Sequence, residues 1–251
     1  MSDEVLVEQR DSTLLIALNR PRARNAIDTA VSDGLLAAVE RLNRDASLRV
    51  GVLTGTGTAF CSGMDLNAFA KTGMPDGIGH FLRDGSAEKP LIAAIEGYAL
   101  GGGLELALAC DLIVAATGAK LGLPEAKVGL FAAGGGLLRL PQRIPENVAL
   151  EMAITGEPLS AERGYELGLI SRLTQQGAAA DEALALAELI GRCAPLSVGA
   201  SRRLVRRRSG IGDDDFYTYQ KPLLKAVFRS QDAKEGPRAF AEKRQPQWSG
   251  T

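Results

Sequence analysis

Apolar positions in this chain alternate between short runs suited to strands and wider spacings suited to helices. Two strand-like runs come first, Glu4 to Glu8 and Thr13 to Asn19, with a turn at Arg10 and Asp11. A helix is predicted from Asp28, whose carboxylate suits a cap, because Val31, Leu35, Val39 and Leu42 recur on one face. Val50 to Thr54 reads as a buried strand that runs out into the loop GTGTAFCSGMDL. Leu91 to Ile95 reads as another, leading into EGYALGGGLELALACD and then a strand over Asp111 to Ala116. Strand, turn, helix and strand in this order predict an α/β architecture. The segment from Gly73 to Gly85 reads as a mobile excursion. From about Ala178 the chain turns helical, with Leu184, Leu186, Leu189 and Ile190 as its apolar face and with Pro195, Pro222 and Pro237 as punctuation. The expected organisation is a core over residues 1–195 and a helical region over 196–251. No exact internal repeat is visible.

Composition narrows the function classes. Apolar content of 45% and charged content of 24% over 251 residues suit a globular protein with a sizeable core. A net charge of -1 gives no global attraction to nucleic acid or an anionic membrane, so an anionic ligand needs local positive charge. Arg202, Arg203, Arg206, Arg207 and Arg208, interleaved with Leu204 and Val205, read as a solvated or subunit-contacting face rather than a nucleic-acid site. Three scattered cysteines, Cys61, Cys110 and Cys193, give neither a disulfide framework nor a metal motif. The opening MSDEVLVEQR lacks a signal pattern and no apolar run reaches membrane-spanning length, so a cytoplasmic location is expected. The single histidine, His80, lies in GMPDGIGHFLRDG and is read as incidental. Chemistry is therefore expected from carboxylates and backbone dipoles.

Three glycines, Gly101, Gly102 and Gly103, stand between a strand and a helix, where bare N–H groups in a first turn can hold an oxyanion. They equally suit a tight packing turn. The loop Phe60-Cys61-Ser62-Gly63-Met64-Asp65-Leu66 offers a second exposed backbone, or a plain connector with Asp65 near a helix start. Gly55-Thr56-Gly57 is no dinucleotide fingerprint, since Phe60 occupies the place of its third glycine. Glu105 sits in the first turn after the glycines among leucines and alanines. There it serves either the helix dipole or chemistry as a buried carboxylate. Glu125 follows Pro124 and is either a turn acid or its partner. Two carboxylates beside two oxyanion donors suit addition of water to a double bond conjugated with a carbonyl.

The fragments LNRPRARNAI, FCSGMDL, KPLIAAIEGYALGGGLELALACDLIVAA, LPEAKVGL and DAKEGPRAFAEKR occur in an order and spacing similar to those of the crotonase (enoyl-CoA hydratase) family. The resemblance covers nearly the whole chain. It implies a crotonase-like β-β-α spiral core with a C-terminal helical oligomerisation region, and a homotrimer or dimer of trimers. It assigns the oxyanion donors to Met64 and Gly102 and the catalytic acids to Glu105 and Glu125. It points to Arg22, Arg24, Phe240 and Lys243 for coenzyme A, which is part of an acyl-CoA substrate, so neither a separate cofactor nor a metal is implied. Both acids together imply reversible hydration of a trans-2-enoyl-CoA. An enoyl-CoA isomerase and a carnitinyl-CoA dehydratase-like enzyme are the alternatives within the family, and a non-catalytic binding scaffold is the alternative outside enzymology. After Gly129 the sequence LFAAGGGLLRLPQRIP departs from the Pro-Gly and Thr-Gln-Arg pattern of typical hydratases, and with AFAEKRQPQW it is similar to carnitinyl-CoA dehydratases. A simple straight-chain substrate is the expectation this departure touches.

Overall fold

The computed structural model describes residues 3–73, 75–84, 87–208 and 210–251. The chain divides into two compact units, Met1–Ala187 and Glu188–Thr251.

In the first unit, the two strands read from the sequence, β1 (Val5–Arg10) and β2 (Thr13–Leu18), pair antiparallel, with Val5 opposite Leu18. Helix α1 (Thr29–Arg44) follows, and the Asp28 carboxylate accepts from Val31 N–H at 3.0 Å as its cap. Val31, Leu35, Val39 and Leu42 are all buried. Strand β3 (Val50–Gly55) lies parallel to β2, and helices α2 (Leu66–Thr72) and α3 (Asp76–Asp84) come next. Strands β4 (Leu91–Ile95) and β5 (Tyr98–Leu100), helix α4 (Gly102–Ala109), and strands β6 (Leu112–Ala116) and β7 (Lys120–Gly122) continue the chain. A 3-10 turn (Pro124–Val128), α5 (Gly136–Arg139), a 3-10 turn (Leu140–Gln142), α6 (Glu146–Thr155), β8 (Leu159–Ser160), α7 (Ala161–Glu166), β9 (Arg172–Thr174) and α8 (Ala179–Gly191) complete the order.

One sheet runs β1-β2-β3-β4-β6-β9 and is parallel from β2 onward. Its central strand β4 is buried at all five positions, as expected for a parallel strand covered on both faces. A small second sheet, β5-β7-β8, stands apart from it. The pairing of Leu100 with Gly122 in that sheet brings the glycine turn before α4 beside the chain entering the Glu125 turn.

Two expectations change here. The excursion from Gly73 to Gly85 contains α3, and its Ile78, Phe81 and Leu82 are buried; Met74 and Gly85 lie outside the described residues, as does the side chain of His80. Apolar spacing of three and four residues outweighs Gly77 and Gly79 inside the helix, because burying that stripe stabilises it more than glycine costs. On α8 the buried face is Ala179, Ala183 and Ala187, whereas Leu189 is exposed. Leu184, Leu186 and Ile190 of the predicted face are half-buried, so the alanines, whose small side chains allow close approach, form the fully buried part of that helix.

The second unit holds α9 (Pro195–Arg207), α10 (Asp213–Phe228) and α11 (Asp232–Ala241). Pro195 opens α9 at a position where its missing N–H is not needed. Pro222 and Pro237, read as punctuation, lie inside α10 and α11. Each removes one N–H bond to the carbonyl four residues back, yet both helices run on. Arg207 stacks on the Tyr219 ring 5.8 Å away, joining α9 to α10. The C-terminal tail is tied to α11 by buried Asp232, which accepts from Ser249 N, Ser249 Oγ and Gly250 N at 2.7, 3.0 and 3.0 Å. Glu235, forked by Arg244 at 2.6 Å, also accepts from Gln247 N–H; Arg244 and that N–H hold its carboxyl down at about 2. Among the described residues no single helix is long and apolar enough to cross a membrane.

Candidate active site

Two backbone turns meet in the first unit. In the loop after β3, Cys61 is locked to the β5 strand: its N–H donates to Tyr98 O and its carbonyl accepts from Leu100 N–H, both at 3.0 Å. Gly63 has φ +101°, and a methyl there would lie 2.8 Å from Leu100 O and 3.4 Å from Gly102 N. The adjoining Met64 is pinned on both sides, by Ile27 N–H to Gly63 O at 2.8 Å and by Asp65 N–H to Ile27 O at 2.9 Å. Opposite, Gly101 takes φ +53° and donates to Gly122 O at 2.8 Å, and Gly102 begins α4. A methyl on Gly102 would sit 3.7 Å from Met64 N. The two N–H groups named by the sequence thus lie on abutting segments, and among the described residues neither donates to a protein acceptor. Cys61 beneath them is buried and its thiol is pushed up to about 12 by burial, which leaves it a neutral packing group.

Both glutamates converge on this turn. Glu105 lies one turn into α4, its N–H bonded to Gly101 O at 3.0 Å, and the residue is only 4% exposed. Its Oε1 accepts from Gly136 N–H at 2.9 Å, and Gly134 N–H is a further donor to the carboxylate. Burial raises its pKa above the ordinary carboxylate value, and the nearby Glu125 raises it further; the two backbone donors and the Arg139 guanidinium oppose that rise. Glu125 is carried by the 3-10 turn opened by Pro124, with its Oε1 3.1 Å from where a methyl on Gly101 would stand. Its Oε2 is buried without a hydrogen-bond partner, and burial raises its pKa as well. Glu105 is a carboxylate with donors, and Glu125 one with an orphaned oxygen.

The residues read for coenzyme A divide by location. Arg22 and Arg24 are exposed in the loop before α1, and Arg24 has φ +50°. That loop abuts the Met64 loop, since Ser62 N–H donates to Arg24 O at 3.0 Å and the fully buried Asn25 donates to Thr56 O and Ala59 O. Phe240 and Lys243 belong to the second unit; Phe240 is 87% exposed and therefore no core residue, and Lys243 follows α11 with φ +53°.

Sequence reading missed four contributors. Gly134 and Gly136 act through their N–H groups, which leave no side-chain signature. Arg139 stands alone as a charge in the run GGGLLRLP, which is the signal that could have found it. Arg20 bridges Asp28 and Asp65, the caps of α1 and α2, at 3.1 Å each and donates to Ala26 O at 2.7 Å, so it straps the segments on either side of Met64. Among the described residues no group of three or more His, Cys, Asp or Glu could hold a metal ion.

Comparison with known proteins decides the family. The enoyl-CoA hydratase/isomerase model matches residues 8–251. The chain belongs to that family. Within it, the chain is 41% identical over 263 aligned positions to a carnitinyl-CoA dehydratase of Proteus mirabilis, with 100% of both chains covered. It is 40% identical to enoyl-CoA hydratase EchA19 of Mycobacterium tuberculosis, over 97% of this chain and 95% of that one. The crystal structure of enoyl-CoA hydratase EchA1 from Mycobacterium marinum superposes with a TM-score of 0.94 at 52% identity, covering 100% of each chain. The crotonase fold of the family is thus the fold of this chain.

Proposed function

We propose that this protein is a hydro-lyase that reversibly adds water to a trans-2-enoyl-CoA thioester. The reading is carried by one observation: a buried carboxylate, Glu105, and a half-buried one, Glu125, whose environments differ, pack on the same glycine turn that brings the Met64 and Gly102 N–H groups together.

The thioester oxygen is held by Met64 N–H and Gly102 N–H, donors with no competing protein acceptor among the described residues. Glu105 is the base. Burial and Glu125 raise its pKa, while the Gly136 and Gly134 N–H groups and Arg139 support the ionised form, which removes a proton from water as the oxygen adds to the β-carbon. The electrons of the double bond move onto the thioester oxygen, where the two N–H groups stabilise the charge. Glu125 is the acid. Its unpartnered Oε2 favours the protonated form, and it delivers that proton to the α-carbon as the enolate collapses. The reverse sequence dehydrates a 3-hydroxyacyl-CoA, the direction named for the Proteus relative. Exposed Val128, Leu130, Phe131, Leu137 and Leu138 lie in the same stretch of chain as Glu125 and the Gly134–Gly136 turn and favour an apolar acyl group over a charged one.

The residues assigned to coenzyme A are Arg22 and Arg24 in the first unit and Phe240 and Lys243 in the second; a stacked aromatic beside a cation suits an adenine and its phosphates. The assembly is a homotrimer or a dimer of trimers. Exposed Val205, Tyr217, Leu224 and Phe228 on α9 and α10 support burial against another subunit.

Purified protein with crotonyl-CoA tests the reaction, with loss of the conjugated-thioester absorbance as the expected result. Persistence of that signal together with conversion of a 3-enoyl-CoA makes the protein an isomerase instead. RNA binding without acyl-CoA affinity makes it a binding scaffold.

A further inference from the structure

The turn Gly134-Gly135-Gly136 does two things at once. It supplies N–H groups to the Glu105 carboxylate, and it lies against the side chain of Arg139. Gly135 has φ +100°, and a methyl on it would stand only 2.2 Å from Arg139 Nη1, so the guanidinium lies directly over this residue. Arg139 Nη1 donates to Gly134 O at 3.3 Å, and Arg139 N–H donates to Gly135 O at 2.9 Å. The backbone bond to Gly135 O holds the peptide unit that carries Gly136 N–H, the donor to Glu105, and the guanidinium holds the unit next to it in the turn.

We infer that Arg139 is a positioning residue for Glu105: its guanidinium clamps the Gly134–Gly136 turn so that the turn's N–H groups meet the carboxylate, and it sets a positive charge beside them. The consequence for rate rests on the proposed hydration, whereas the clamp itself does not. Among the described residues, the charged groups near Glu105 are Glu125 from the 3-10 turn, which opposes ionisation, and Arg139 from α5, which favours it. Helix α3 contributes the apolar Leu82 at the same turn; the side chains of His80, Arg83 and Asp84 on that helix lie outside the described residues. A lysine at position 139 would keep the charge and lose the planar fork.

The test labels the full chain with carboxyl-13C glutamate and follows Glu105 by NMR across pH, its resonance assigned by its loss in Glu105→Gln. Arg139→Gln and Arg139→Met are expected to shift the Glu105 titration midpoint upward, with Arg139→Lys near wild type. The acid limb of the kcat/KM profile moves in the same direction. Folded neutral variants with an unmoved midpoint overturn the inference. If neither neutral variant folds, Arg139→Lys decides through amide exchange at Gly136: faster exchange supports the clamp, and unchanged exchange overturns it. The carboxyl titration needs no turnover, so an inactive wild-type protein refutes the proposed reaction and leaves the Arg139 test intact.

Discussion

Adjacent glycines in the turn before α4 permit one chemical change to be placed in two opposite environments. A methyl on Gly103 would lie 2.3 Å from Cys61 O and 2.9 Å from Cys61 C and Cβ. That is roughly 1 Å inside an ordinary C···O contact. Relief requires moving the Cys61 backbone, whose N–H and carbonyl are each bonded at 3.0 Å to β5. Over-packing costs about 1–3 kcal/mol and loosening two hydrogen bonds adds about 1 kcal/mol each, so Gly103→Ala is expected to destabilise by roughly 2–5 kcal/mol. For a chain of this size the melting temperature falls by roughly 5–15 °C. Gly102→Ala meets only Ile27 Cδ1 at 3.3 Å, the end of a flexible side chain, and then Met64 N at 3.7 Å. Its expected melting temperature is within about 3 °C of wild type. Differential scanning calorimetry on the two variants and the parent measures both. A Gly103→Ala protein that melts with wild type, or a Gly102→Ala protein that melts as low as Gly103→Ala, refutes the view that the Cys61 backbone is locked against this turn.

Three further outcomes follow from the site. Glu105→Gln and Glu125→Gln are each expected to lower kcat on crotonyl-CoA by about 10²–10⁴ with KM nearly unchanged, and a wild-type rate in either removes that residue from the mechanism. Because burial raises the folded-state pKa of Glu125, the ionised group opposes folding: this stability is present below the unfolded pKa and is lost as pH rises through the folded value. The melting-temperature difference between Glu125→Gln and wild type should therefore grow from acid to neutral pH, and a difference that shrinks contradicts the buried-carboxylate assignment. Arg20→Met leaves Asp28 and Asp65 without their shared cation; since those side chains are about one-fifth exposed, a loss of about 1–3 kcal/mol is expected in denaturant unfolding, and no change in midpoint counts against the strap.

Much of the architecture was written locally. The periodicity of Val31, Leu35, Val39 and Leu42 and the cap at Asp28 define α1 before any contact is known, because both depend on residues within a few positions of each other. Gly101, Gly102 and Gly103 mark a turn by composition, and Glu105 among leucines signals a buried charge. Family resemblance in the sequence named Met64, Gly102, Glu105 and Glu125. What it could not supply was their mutual geometry.

Tertiary structure decided the rest. That α3 forms despite Gly77 and Gly79 within it, and that α8 buries its alanines more fully than its leucines, depends on what surface each helix meets. The differing states of the two carboxylates are likewise non-local. Glu105 gains its donors from Gly134 and Gly136, and Glu125 is left with an unpartnered oxygen, only after β5 pairs with β7 and the glycine-rich loop folds back over α4. A carboxylate's proton affinity is set by burial and by the dipoles and charges around it, and these come from distant parts of the chain. Spacing in the sequence identifies the acids, and folding sets the differing environments that favour one as base and the other as acid.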